Sequence, residues 1–264
     1  YFGLLLFIGR YSYNKNANMN EYLLDNRRLG PVVTALSAGA SDMSGWMLLG
    51  VPGAMYATGI VNIWMLAGLI IGAYCNYLFL AKRLRVYTEV ASDSITIPDF
   101  LENRFKDRTK ILRIVSGVFI LIFFTLYVSS GVIAGGKSFE TFFGLPFSWG
   151  AILTLFIVVF YTFFGGFRAV CITDAFQGAL MFFVLVAIPV GAYLNLDLPQ
   201  NTNFWGEISR LKPQLLDPFA NQSFWGILGL AAWGFGYFGQ PHIIVRFMAI
   251  RSSAELAQAR RIGI

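Results

Sequence analysis

The sequence predicts an all-α polytopic membrane protein, and three observations carry that reading. Only 13% of the 264 residues are charged and 56% are hydrophobic, with a mean hydropathy of +0.62; an ordinary soluble domain is about 25% charged. Five stretches hold no Asp, Glu, Lys or Arg: Ile60–Ala81, Ile114–Gly136, Thr141–Phe167, Ala175–Leu196 and Pro218–Val245. Each is long enough to cross a bilayer as a helix, which takes about 20 residues. The Lys and Arg residues fall between these stretches rather than along one polar face. Such a composition excludes a soluble enzyme, a disordered chain, collagen and a coiled coil.

Taken in order, Tyr1–Gly9 reads as the tail of a further crossing, so that residues 1–13 close an accessory helix. It lacks the basic leader and small-residue cleavage site of a signal peptide, and the chain opens mid-span without Met, as a trimmed chain would. Between Leu29 and Ala81 the only charge is Asp42. The Pro52-Gly53 and Thr58-Gly59 turn signals split that region into two crossings, which brings the expected count to seven. Thr96–Arg108 places a Thr cap and a Pro before a short amphipathic pattern, the mark of an interfacial helix. Asp197–Asn221 is polar, contains three Pro and reads as an outer loop.

The net charge of +6 is explained by topology rather than by a nucleic-acid partner. Of the 20 Lys and Arg, 17 fall on one set of alternate connections, and only Lys137, Arg210 and Lys212 on the other. Basic connections face the cytoplasm, which places the start of the chain outside and its end inside. Cys75 and Cys171 lie in or beside apolar runs, where small-hydrophobe packing is the default role. Two cysteines are too few for a disulfide framework.

Chemistry concentrates at two interruptions. Asp42 is a carboxylate inside an apolar span, costly at about 2.5–3.5 kcal/mol and by default a functional residue. Around it runs Ser37-Ala-Gly-Ala-Ser-Asp-Met-Ser-Gly-Trp46, small and hydroxylic enough for a broken helix with free backbone groups. The competing reading is that small residues serve close packing and Asp42 bonds neighbouring backbone at a helix end. A second interruption is expected at Ala232-Trp-Gly-Phe-Gly-Tyr-Phe-Gly-Gln-Pro241, where three Gly and a Pro oppose a regular helix. Trp233 and Tyr237, four apart, would share a face there, although interfacial aromatics are ordinary membrane anchors. His242 receives no proton-relay role. For Asp174 a helix-start cap or an ion pair with Arg168 stands at least level with a role in an ion pathway. One His in the chain leaves most hydrolytic constellations without members, so no catalytic residue and no enzyme activity are expected.

Motifs then connect the chain to a family. Tyr161-Thr162, Gly165-Gly166, Ala169-Val170, Thr173-Asp174 and Gln177 resemble the signature of the sodium:solute symporter family. The runs Leu29 to Trp46, Gly236-Tyr-Phe-Gly-Gln-Pro-His242 and Arg246-Phe-Met-Ala249 resemble its proline-transporting branch. The resemblance spans the displayed chain, while the family continues well past Ile264.

What this resemblance implies is a leucine-transporter-type inverted-repeat fold with an accessory N-terminal helix, of which only the front portion is displayed. A first five-helix repeat would occupy residues 29–196 and the start of a second residues 218–264, within one transmembrane domain. Sodium, the coupling ion, would meet Ala40, Asp42 and Met43. Proline would meet Ser44, Gly45, Trp46, Tyr127, Trp233, Tyr237 and Pro241. Arg27 and Asp174 would serve coupling or gating. The implied activity is sodium-coupled proline import by alternating access across a bacterial cell membrane, with lipid around it, no cofactor and no obligatory protein partner. The alternatives are a symporter of the same fold for pantothenate or another zwitterion, and more distantly a channel or a membrane sensor domain.

Overall fold

The computed structural model describes residues 2–13, 18–196 and 204–264, and they are helical nearly throughout. Thirteen α-helices are described: α1 (Phe2–Tyr11), α2 (Met19–Leu24), α3 (Pro31–Asp42), α4 (Val51–Thr58), α5 (Ile63–Cys75), α6 (Lys82–Val90), α7 (Ile97–Phe105), α8 (Ile111–Phe143), α9 (Phe147–Leu194), α10 (Phe204–Leu211), α11 (Phe224–Ala231), α12 (Pro241–Ala249) and α13 (Leu256–Gly263). The only strand-like pairing among the described residues is an isolated bridge between Leu29 and Ile250. Three helical stretches are long and apolar enough to cross a membrane: Val51–Val90, Ile111–Phe143 and Phe147–Leu194.

Local chemistry sets the breaks. Straight, the 48 residues of α9 would run about 72 Å at 1.5 Å per residue, far more than a bilayer. At Gly166 the backbone leaves helical geometry (φ 58°, ψ −160°). A side chain there would crowd Tyr22, whose backbone oxygen lies 3.0 Å from the Cβ position. Gly59, with φ 80°, ends α4 where the Thr58-Gly59 signal predicts a turn. The predicted interfacial helix is α7, its Thr96 hydroxyl accepting the Asp99 amide at 3.2 Å. The polar stretch expected as an outer loop holds structure of its own, the eight-residue α10 and a 3-10 turn at Pro213–Leu216. Its residues 197–203 lie outside the described ones, as do Tyr1 and residues 14–17.

Packing follows the small residues. α9 runs against α1, α3 and α8. α5 presses Gly68 and Gly72 onto the backbone of Ala231 and Gly234, where added Cβ atoms would collide with carbonyl oxygens. Small residues of this kind let helix backbones approach closely in lipid. The core gathers Leu24, Leu29, Ala35, Tyr77, Cys171, Phe247, Met248 and Ile250 from six segments. α8 keeps a broad exposed apolar face, including Phe119, Leu121, Ile122 and Phe123.

Candidate functional site

Both expected interruptions are present. α3 begins with Pro31 at its first turn and stops at Asp42, because Met43 (φ −73°, ψ 72°) leaves the helical region. The Met43 amide folds back onto the Ala40 and Gly39 carbonyls at 3.1 and 3.3 Å, and the Ser44 amide onto the Asp42 carbonyl at 2.8 Å. Helical winding resumes at Gly45 through a wide turn over Trp46–Gly50 before α4. Such π-type turns often mark functional sites. Gly50 lacks a side chain where the Trp46 ring lies. In the second span α11 tightens into a 3-10 segment over Ala232–Phe238, then opens at Gly239 and Gln240 before Pro241 starts α12. Buried Asn76 on the neighbouring strand of helix supports this break, its Nδ2 donating to the Tyr237 carbonyl at 3.0 Å.

The two breaks face each other. The Tyr237 hydroxyl donates to the Asp42 carboxylate. Trp46 stacks on Trp233 with centroids 5.9 Å apart and planes at 8°. The Tyr127 hydroxyl, from α8, donates to the Ser41 carbonyl at 3.1 Å, one residue before Asp42. A pocket of about 310 Å³ lies between these groups, with Asp42, Ser44, Trp46, Tyr127 and Trp233 in its wall, joined by Gln240 and His242. A second cavity of about 360 Å³, mainly apolar, also takes in Asp42, with Met43 and Tyr237 in its wall. Asp42 therefore lines both cavities. The first is at the lower end of the roughly 300–1,000 Å³ range of small-molecule sites.

Three of the expected contact residues stand outside both cavity walls. Ala40 packs toward Gly178 of α9, Gly45 sits where Ala134 of α8 comes close, and Pro241 opens α12. Arg27 stands elsewhere, in an ion pair with Asp93 at 2.8 Å.

Asp174 corrects the sequence reading. Neither helix cap nor partner of Arg168, it lies eight residues past the Gly166 kink, inside α9. Its Oδ2 accepts from Arg246 Nη2 at 2.6 Å, from the Ser37 hydroxyl at 2.9 Å and from the Ser41 hydroxyl at 3.2 Å. Arg246 also donates from Nε to Ser37 Oγ at 2.7 Å and to the His242 carbonyl. Both side chains are enclosed, 6% and 14% exposed. Arg168 instead lines a polar cavity with Asp25. Arg246, Ser37, Gln240 and His242 carry no role in the sequence reading. The available signal was Arg246 itself, a charge set directly against an apolar span, where charges pair with one another.

Two broken helices meeting at an acid, beside a small aromatic-walled pocket in an apolar helical scaffold, are the features of a multi-pass helical membrane protein with helices interrupted inside the fold. The sequence model of the sodium:solute symporter family matches residues 22–264, and the chain belongs to that family. It is 53% identical over 268 residues to the sodium/proline symporters of Staphylococcus aureus strains JH9 and COL. Those alignments cover 100% of this chain and 51% of each relative, so the chain spans about half the length of the curated relatives it matches.

Proposed function

We propose that the chain is the front portion of a sodium-coupled transporter that imports proline into a bacterial cell by alternating access. The observation carrying this reading is the pocket at the meeting of the two breaks, with Asp42 in its wall and the stacked Trp46 and Trp233 beside it. The relatives' printed names, sodium/proline symporter, support the choice of ion and solute. Proline is a zwitterion with a compact apolar ring. Flat indole walls suit the ring, and amides at a helix break suit its carboxylate. Sodium, a hard cation, suits the carbonyl oxygens of Ala40 and Met43 beside the Asp42 carboxylate. Ala40's carbonyl already accepts one amide at 3.1 Å and keeps a second lone pair.

In this reading residues 1–13 end an accessory helix, 29–196 form a first five-helix repeat and 218–264 begin its inverted partner, with seven crossings in all. The basic connections face the cytoplasm, the displayed start lies outside and the displayed end inside. Sodium binds beside Asp42, favours the outward-facing state and is released inward with proline. One sodium ion moving through 100 mV supplies about 2.3 kcal/mol, roughly a 50-fold concentration ratio. No covalent step is required, and no cofactor or obligatory protein partner enters the scheme.

Intrinsic fluorescence tests the pocket directly, because two tryptophans flank it. Proline added to the purified full-length transporter is expected to change tryptophan emission in sodium buffer and not in choline buffer, and Trp233→Phe to diminish the change. A response equal in both buffers would overturn coupling at this site. A response to pantothenate in place of proline would keep the site and change the solute.

A further inference from the structure

At one end of the molecule, a guanidinium ties together three segments that are remote in sequence. Arg27, in the connection leading to α3, has a side chain only 10% exposed. All five of its N–H donors, the full complement of an arginine, are engaged. Nε and Nη2 donate to Asp93 Oδ1 at 3.1 and 2.8 Å. Nη1 donates to Thr88 Oγ1 at 3.1 Å and to the Met248 carbonyl at 2.8 Å, and Nη2 also to the Ser94 carbonyl at 3.1 Å. Asp93's other oxygen accepts from Asn20 at 3.2 Å. Alongside, the Leu29 amide donates to the Ala249 carbonyl at 3.1 Å and the Arg251 amide to the Leu29 carbonyl at 3.0 Å. Arg85 Nε donates to the Ile250 carbonyl at 2.7 Å. The carbonyls at the end of α12, which no helix amide can reach, are thus held by groups from the approach to α3 and from α6.

The same junction is strained. Among the described residues eight that are not glycine have positive φ, and five of them meet here: Asp25, Asn26, Arg27, Ser92 and Asp93, with φ between 48° and 56°. Both partners of the ion pair are in left-handed backbone. Such conformations persist only where surrounding contacts over-determine them, and they gather at switches. Leu24, Leu29, Met248, Ala249 and Ile250, next to these segments in the chain, are buried members of the core, and Cys171 belongs to the same core.

We propose that Asp93 is a positioning residue that holds Arg27 as the pin of a strained latch. The latch fastens the approach of the first broken span to the end of the second, and parts when the molecule opens to the cytoplasm. The proposal rests on the transport reading and on the topology given by the basic connections. Asp93 touches neither cavity at Asp42; it acts through Arg27. With the carboxylate neutralised, Nε and one Nη2 donor of Arg27 lose their charged acceptor, and the left-handed segments lose the ion pair that joins them.

Cys171, 0% exposed in the core that the latch closes on, is a built-in reporter. The test uses full-length transporter in inside-out membrane vesicles, a membrane-impermeant maleimide, and mass spectrometry to read labelling at each cysteine. Asp93→Asn is expected to speed Cys171 labelling about tenfold, the effect of exchanging a charge-assisted pair for neutral hydrogen bonds. Asp93→Glu, which keeps the charge, is expected to stay near the parent rate, and Cys75 to remain unchanged in both. An unchanged Cys171 rate in Asp93→Asn would overturn the latch. Equal acceleration at Cys75 would also overturn it, by reducing Asp93 to general structural support. Labelling is read without solute, so a failure of proline uptake in the parent would reject the transport reading and leave this result standing.

Discussion

Removing the Asp174 carboxylate gives the sharpest energetic test of the site's surroundings. Arg246 and Asp174 meet at 2.6 Å with side chains 6% and 14% exposed. Breaking such a pair by deleting one partner costs about 3–5 kcal/mol, because the remaining charge is left buried and uncompensated. In Asp174→Ala, Arg246 keeps Ser37 and the His242 carbonyl but loses its ion-pair partner. The consequence is a change of sign in a double-mutant cycle. Arg246→Met alone is destabilising, since it strands the Asp174 carboxylate between two serine hydroxyls. In the Asp174→Ala background the same substitution removes the stranded cation and raises stability. The assay is thermal unfolding of the four proteins in one detergent, at one protein concentration and one sodium concentration. An Asp174→Ala variant within about 1 kcal/mol of the parent would refute the reasoning, and so would a double variant no more stable than Asp174→Ala.

Four further outcomes are expected. Asp42→Asn inserts normally but loses sodium-stimulated uptake, since a carboxylate kept inside an apolar span answers to an ion; sodium activation like the parent's would contradict this. Trp233→Ala removes the stack on Trp46, worth about 0.5–1.5 kcal/mol beyond burial, and is expected to raise the proline half-saturation by roughly 2–13-fold with sodium activation largely kept. Unchanged proline half-saturation would remove Trp233 from the pocket. Gly234→Ala drives a Cβ into the Gly68 carbonyl, and overpacking of about 1–3 kcal/mol should appear as a lower unfolding temperature. Burial pushes the Asp25 carboxyl above the ordinary carboxylate range, with Arg168 and Arg28 partly offsetting it. A raised acid is penalised when charged, so the penalty is full at neutral pH and fades as pH falls through the folded value. Asp25→Asn is therefore more stable than the parent at pH 7, by a margin that shrinks on acidification; a constant margin in thermal unfolding would refute the assignment.

The breaks were legible in the sequence because their causes are local. Gly45 and Gly50 around Asp42, and Gly234, Gly236, Gly239 and Pro241 in the later span, write irregular backbone directly into the chain. So does the pairing of Thr96 with Asp99 at the start of α7. Pairing across the fold was not legible. Arg246 is 72 residues from Asp174 and 209 from Ser37, and periodicity carries no signal at such separations. Arg168 was the nearer candidate in sequence, but six residues from Asp174 on one helix it faces another way and lines the cavity with Asp25. Asp93 gave no sign at all, because a solvent-side aspartate after a helix is the commonest of turn residues. Its significance comes from Arg27, reached from 66 residues away.

The central claim, that this chain belongs to a sodium-driven proline importer, is tested most directly by radiolabelled proline uptake. Full-length protein would be reconstituted in liposomes under an inward sodium gradient, with an inward potassium gradient as control. The account predicts accumulation that requires sodium and that excess unlabelled proline abolishes. Uptake equal under both gradients, or no proline uptake by protein that binds sodium, would contradict it.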